Sequence, residues 1–428
     1  MDVLLSYGRV GLTVALPDAA EVLRTRFTPG LRDEAQAVQA ALRKPIGSAP
    51  LVDLVKPGDS VVVVHTDITR ATPNDRILPV LLEELEAAGV ARRNISLLNG
   101  LGTHRQQTGA ELRLMLGEWI VDHYCCLQHD CFDDSNLVSL GITTLGHPVR
   151  VNRVYLDADV RILTGFIEPH FFAGFSGGPK AILPSLAGAE SVFTNHGLPM
   201  IAHPKATWGI TEGNPIWEEM REVALSTNPT FLLNVALNTH KEITGVFAGE
   251  MLAAHAEGCA FVKGHAMVGI DAPYDIVITT NSGYPLDQNL YQSVKGMSAA
   301  AQVVKQGGAI IIAAACEDGL PAHGRYAELL AQAGSVQGII DLISQPGFEA
   351  HDQWQVQVQA QIQQRAAVYV YSDGLTDEQI NRALFIPCRS IEKTVTSLLD
   401  HYGPQARICV MPEGPQVIPY LRERQTAA

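Results

Sequence analysis

The sequence predicts an α/β protein of two domains with largely parallel sheets. From Asp59 onward, short β-branched runs alternate with longer helical patterns, which is the signature of parallel α/β architecture. The pattern starts afresh after Gly269, and 428 residues are enough for two or three domains that each bury a core. With 46% hydrophobic and only 18% charged residues, the chain is folded rather than disordered. The boundary falls near Val268–Pro273, where no Pro/Ser-rich linker marks it, giving domains 1–270 and 271–428.

Val61–Val64 reads as a buried strand, followed by the polar loop His65–Asp75 and a helix with Leu78, Leu81, Leu82 and Leu85 on one face. Ile95–Leu98 is the next strand and runs into the loop Asn99–Arg105. His123–Cys131 reads as an extended strand, and Val160–Thr164 opens into the long loop GFIEPHFFAGFSGGPKAILP. In open parallel sheets ligands bind beyond the carboxyl ends of the strands, so these polar loops are expected around one crevice. In the second domain Asp275–Thr280, Ala309–Ala315, Val368–Tyr371 and Ile408–Met411 read as strands, with helices over Asn289–Lys305 and from Thr376. The Gln-rich stretch Gln353–Gln364 reads as a helix with a solvated face, and the chain has no internal repeat.

Lys and Arg number 31 against 45 Asp and Glu, a net charge of −14 without a basic block, which argues against nucleic acid or anionic membrane as partner. No run of about 18 apolar residues spans a bilayer. The first residues lack the basic region of a signal peptide. Seven irregularly spaced cysteines do not make a disulfide framework, so a cytoplasmic location is expected.

No Gly-x-Gly-x-x-Gly follows a strand, and Gly174–Lys180 is too short for a phosphate loop, with Ala181 where a Mg²⁺-binding hydroxyl belongs. The cluster His123, Cys125, Cys126, His129 and Cys131 holds zinc-type ligands, but alternate side chains of a strand leave on opposite faces, so inert thiols are expected. His104, His170 and His196 lie on loops that also carry Asp67, Arg70 and Lys180, a combination suited to an anionic substrate and proton transfer. Tyr291, Gln292 and Lys295, at spacings of three and four, share one face of a helix. Arg70 and Lys295 are expected to clamp a carboxylate across the interdomain cleft.

Six motifs in order, HTDITRATP, GLGTHR, GFIEPHFFAGFSGGPKAILP, TNHG, TWGITEGNPIWEEM and GYPLDQNLYQSVKGMSAA, resemble the nickel-dependent lactate racemase family. The resemblance implies two α/β domains with the active site in the cleft between them. Domain 1–270 would bind cofactor and carry catalysis, and domain 271–428 would clamp substrate. It implies a nickel-pincer nucleotide, a pyridinium-3,5-bisthiocarboxylic acid mononucleotide whose two thio groups and ring carbon bind Ni(II). The covalent tether falls on Lys180 and the nickel ligand on His196. Cofactor contacts fall on Asp67, Ile68, Thr69, Arg70 and Tyr291. The acid/base histidines fall on His104 and His170, and the substrate contacts on Arg70, Gln292 and Lys295. The implied activity is racemisation or epimerisation of a short 2-hydroxy acid by hydride transfer, with cofactor-synthesis enzymes as maturation partners.

Elementary chemistry agrees with that implication. Removing the C2 proton of a 2-hydroxy acid ionises a very weak carbon acid beside a carboxylate, whereas moving the hydrogen as hydride avoids the carbanion. The alternative is a zinc-dependent hydrolase of a small anionic substrate built on His104, His170 and His196, with Glu168 as base. One Arg70–Lys295 clamp suits lactate or another short 2-hydroxy acid, malate would need a second cation, an aldonate would need more hydrogen-bonding groups near its distal end, and Trp354 is a candidate distal wall.

Overall fold

The computed structural model describes residues 1–321 and 324–422. Contacts divide the chain into two compact units, one of Phe27–His196 with His203–His265, the other of Met1–Arg26, Gly197–Ala202 and the chain from Ala266. The sequence divides at a single point near residue 270, whereas the contacts give the first 26 residues and a six-residue segment to the second unit.

The first unit is built on β1 (Val61–Thr66), β2 (Ile95–Gly100), β3 (Cys125–Gln128), β4 (Val160–Phe166), β5 (Phe231–Leu237) and β6 (Ile243–Gly249). Their spatial order is β6-β5-β4-β1-β2-β3, parallel except for β6. Chain order runs outward from β1 to β3 on one side and to β4 and β5 on the other, so the topological switch lies between β1 and β4. Helix α1 (Asn74–Ala87) lays Leu78, Leu81, Leu82 and Leu85 against Val61, Val63, Ile95 and Leu97, all of them buried. Strands covered on both faces read as continuous apolar runs, which is why β1 is so plain in the sequence.

The second unit carries β7 (Tyr274–Thr280), β8 (Val304–Ala313), β9 (Ala366–Tyr371), β10 (Ile386–Pro387) and β11 (Ile408–Met411). The short strand Glu21–Val22 completes a parallel sheet of order β10-β9-β8-β7-β11 by pairing with β11. Its switch point, between β7 and β11, is closed by its own chain. Thr280 Oγ1 donates to Pro412 O at 2.9 Å and Ser282 Oγ to Glu413 O at 2.6 Å. A Cβ on Gly414 would stand 1.9 Å from Thr280 O.

Three local expectations are corrected. The Gln-rich helix, Gln353–Arg365, is buried rather than solvated, with Gln355, Gln357 and Gln359 at most 1% exposed. Its amides bond to other segments: Gln357 Nε2 donates to Leu198 O at 2.9 Å and Gln359 Nε2 to Ala383 O at 2.8 Å, while Gln359 Oε1 accepts from Tyr326 OH. A buried amide is tolerated only when so paired. The stretch His123–Cys131 is a strand only over Cys125–Gln128; His123 ends the helix Glu118–His123, and His129 is buried, donating to Ala187 O at 3.0 Å. The helix expected over Asn289–Lys305 stops at Ala301, because β8 already begins at Val304.

All seven cysteines are free thiols. No helix among the described residues is long and apolar enough to cross a membrane.

Candidate active site

The loops leaving β1, β2 and β4 carry the residues expected at the site in the first unit, beyond the carboxyl ends of these strands. After β1, Asp67 closes a turn in which its Oδ1 accepts from Thr69 N at 2.9 Å and Thr69 Oγ1 at 2.6 Å. Its Oδ2 accepts from His104 Nδ1. Asp67 is buried, and burial disfavours its charged form. The charge and hydrogen bond of His104, the Arg70 cation and the Thr69 hydrogen bond outweigh this and hold the carboxyl well below its usual range. Ile68, Thr69 and Arg70 follow half-buried.

His104 belongs to the loop after β2, and that loop is pinned at both ends. Gln107 Nε2 donates to Arg105 O at 3.0 Å, and Gln107 N to Gln128 Oε1 at 2.7 Å. At the other end Gly102 N donates to Ser185 O at 2.9 Å, and Ser185 Oγ to Lys180 O at 2.7 Å. The His104 loop is therefore docked on the segment that carries Lys180.

The loop after β4 forms a small ribbon, Pro169–His170 paired with Gly174–Phe175. Ala173 N donates to His170 Nδ1 at 3.2 Å. Phe172 is the hub: its ring lies edge-on to His170 at 4.5 Å and to His196 at 4.9 Å, with Lys180 Nζ 5.7 Å from its centroid. Lys180 lies in the 3₁₀ turn Gly178–Ala181. Gly178 has φ +52°, and a Cβ there would stand 2.5 Å from His255 Cγ. Gly178 N donates to Asn234 Oδ1 and His255 Nε2 to Ser176 O, each at 2.9 Å. His196 follows helix α2 (Ala189–Asn195) as its C-cap and is 4% exposed. Burial first, and the Lys180 cation second, drive its pKa well down, so the imidazole is neutral at pH 7.

In the second unit, the helix Leu290–Ala301 starts at Asn289, whose side chain accepts from Gln292 N at 3.0 Å. Gly296 lets the helix lie flush on β7, since a Cβ there would stand 2.0 Å from Thr280 O. Tyr291, Gln292 and Lys295 are half-buried, as the spacing predicts for one face. Trp354 Nε1 donates to Tyr291 OH at 3.0 Å, and Gln355 Nε2 to Tyr291 O.

Residues 7–209 match the model of the lactate racemase N-terminal domain, and residues 270–419 that of the C-terminal domain. The chain belongs to the lactate racemase family. It is 35% identical to the lactate racemase of Thermoanaerobacterium thermosaccharolyticum over 430 residues, covering 99% of this chain and 100% of the relative. Identity to the lactate racemase of Lactiplantibacillus plantarum is 37% over 387 residues, 90% of this chain and 91% of that one. The solved apoprotein structure of the T. thermosaccharolyticum lactate racemase superposes with a TM-score of 0.91 over 99% of this chain and 100% of that one, at 35% identity.

Of the residues expected in a lactate racemase site, the structure gathers Asp67, Arg70 and His104 in one group and His170, Lys180 and His196 around Phe172 in another. Sequence reasoning missed Phe172, Ser185, Asn234 and His255. Asn234 and His255 had a signal, since each is a polar residue inside an apolar strand or helix run, whereas Phe172 reads as ordinary core. Among the described residues no three His, Cys, Asp or Glu side chains group as a metal site. Cys125, Cys126 and Cys131 are free thiols.

Proposed function

We propose that this lactate racemase family member is an isomerase that interconverts the antipodes of lactate or a similarly short 2-hydroxy acid, using a nickel-pincer nucleotide held by Lys180 and His196. The observation that carries this reading is the buried His196 sharing the Phe172 ring with Lys180. The residues present fit that group. A metal-ligating imidazole must be unprotonated, which burial secures at His196, and a pincer that itself supplies three donors asks only one of the protein. When bound, the nucleotide would supply an electrophilic carbon, a hydride acceptor for chemistry at the substrate C2.

The chain's own residues do the rest. Arg70 holds the substrate carboxylate, and Gln292 and Lys295 are carried over as further substrate contacts. Asp67 and Thr69 contact the cofactor through the turn they form, with Ile68, and Tyr291 adds another contact. His104 Nδ1 donates to the ionised Asp67, so the neutral form of His104 has its lone pair on Nε2, the atom that receives the 2-hydroxyl proton. The buried Asp67 charge then stabilises the imidazolium. His170 is set the opposite way: its Nδ1 accepts from Ala173 N, so Nε2 carries the hydrogen and donates to the 2-oxygen. A planar 2-oxo acid that reorients thus meets an imidazole in each pose. Trp354, fixed to Tyr291, forms the distal wall for a short substrate. Maturation by cofactor-synthesis enzymes in a reducing cytoplasm completes the proposal.

Incubation of protein matured with the cofactor-synthesis enzymes with single-enantiomer 2-hydroxy acids, read by chiral chromatography, tests this. Racemisation of lactate or a short homologue is expected. Nickel-loaded protein that leaves every antipode unchanged would contradict the assignment.

A further inference from the structure

Glu219 has no part in the chemistry above, yet it is a carboxylate only 2% exposed. It lies on helix α3 (Pro215–Ser226), and its two oxygens take three donors. Thr143 Oγ1 and His147 Nδ1 reach Oε1 at 2.6 and 2.8 Å, and Asn195 Nδ2 reaches Oε2 at 2.8 Å. Asn195 is fully buried, and its Nδ2 also reaches Ile216 O, in the first turn of the same helix, at 3.2 Å. Asn195 is the last residue of α2, and the next residue is His196, whose own N–H donates to Val192 O at 2.9 Å. An apolar residue would fill the position without the desolvation cost that a buried carboxylate carries. What the carboxylate adds is a directional hold on one amide, and that amide ends the helix from which His196 projects.

We propose that Glu219 is a positioning residue for His196: through Asn195 it fixes the end of α2 and with it the imidazole that holds nickel. This rests on the reading of His196 as the nickel ligand. Partners that orient a metal-binding histidine typically change metal affinity by about 10- to 100-fold when removed. Thr143 is the internal comparison, because it bonds to the same carboxylate through Oε1 and does not touch Asn195, which bonds through Oε2.

The test uses protein matured with the cofactor-synthesis enzymes, as wild type, Glu219→Gln, Thr143→Val and His196→Ala. Intact mass reads the Lys180 adduct, and elemental analysis reads nickel remaining over time in excess chelator. Glu219→Gln keeps the shape but turns an N–H toward one of its donors. It is expected to keep the adduct while losing nickel about 10- to 100-fold faster than wild type. Thr143→Val is expected to lose nickel at about the wild-type rate, although both variants lower the melting temperature. Nickel loss from Glu219→Gln at the wild-type rate overturns the proposal, as does equal acceleration in Thr143→Val, which would mark Glu219 as a general structural pin. If Glu219→Gln does not accumulate folded, Asn195→Ala leaves the carboxylate two donors and carries the same expectation. Equal nickel retention by His196→Ala and wild type would instead overturn the ligand reading beneath the proposal.

Discussion

The carboxylate of Asp67 accepts the Nδ1 proton of His104 from a buried turn at the end of the central strand. One bond therefore sets the direction of the imidazole and keeps its Nδ1 hydrogen engaged with the ionised carboxylate. Asp67→Asn keeps the shape but removes the charge that stabilises the imidazolium. It is expected to lower kcat by about 10² to 10⁴ with a much smaller change in KM. Steady-state kinetics on the loaded variant check this; wild-type kcat would show that the pair is structural only.

The turn that presents Lys180 tolerates no side chain at Gly178, where φ is +52° and a Cβ would meet the His255 ring at 2.5 Å. Gly178→Ala is expected to cost about 2 to 3 kcal/mol of stability, from left-handed strain plus the clash. It should also misplace the lysine. Lys180→Ala is expected to keep full stability and carry no adduct. Urea denaturation and intact-mass spectrometry of both variants separate the two effects.

Stability is expected to fall as pH drops below 6.5. Burial pushes the His65 and His255 imidazoles down to about 4 and His196 well down too. Between those values and the unfolded value of about 6.5, the unfolded chain binds protons that the native chain refuses. Their stabilising contribution is complete above pH 6.5 and is lost as pH falls toward 4, by up to about 3 kcal/mol for His255. His255→Gln, which can still donate to Ser176 O, should flatten the slope of the urea midpoint between pH 6.5 and 4. An unchanged slope would mean that His255 titrates normally.

What the sequence disclosed follows from how locally each feature is encoded. Val61–Val64 was legible as a strand because both faces are covered, and the loops at Asp67, His104 and Lys180 were legible because their polar and glycine residues stand between apolar runs. The glutamines of Gln353–Arg365 were misread because their partners, Leu198 and Ala383 among them, are distant in sequence. A polar side chain satisfied across the fold looks in sequence like one satisfied by water. For the same reason Glu21–Val22 gave no sign of pairing with β11, nearly the whole chain away. Phe172 looked like core and is core, yet the packing around it is what brings His170, Lys180 and His196 together.

In the proposed reaction the C2 hydrogen moves as hydride while His104 and His170 handle only the hydroxyl proton. L-lactate deuterated at C2, incubated in ordinary water with the matured protein, tests it most directly when each antipode is separated and its isotope content read by mass spectrometry. D-lactate that retains the deuterium at C2 is expected. D-lactate carrying protium at C2 would contradict it, because washout requires removal of that hydrogen as a proton by a base in exchange with solvent.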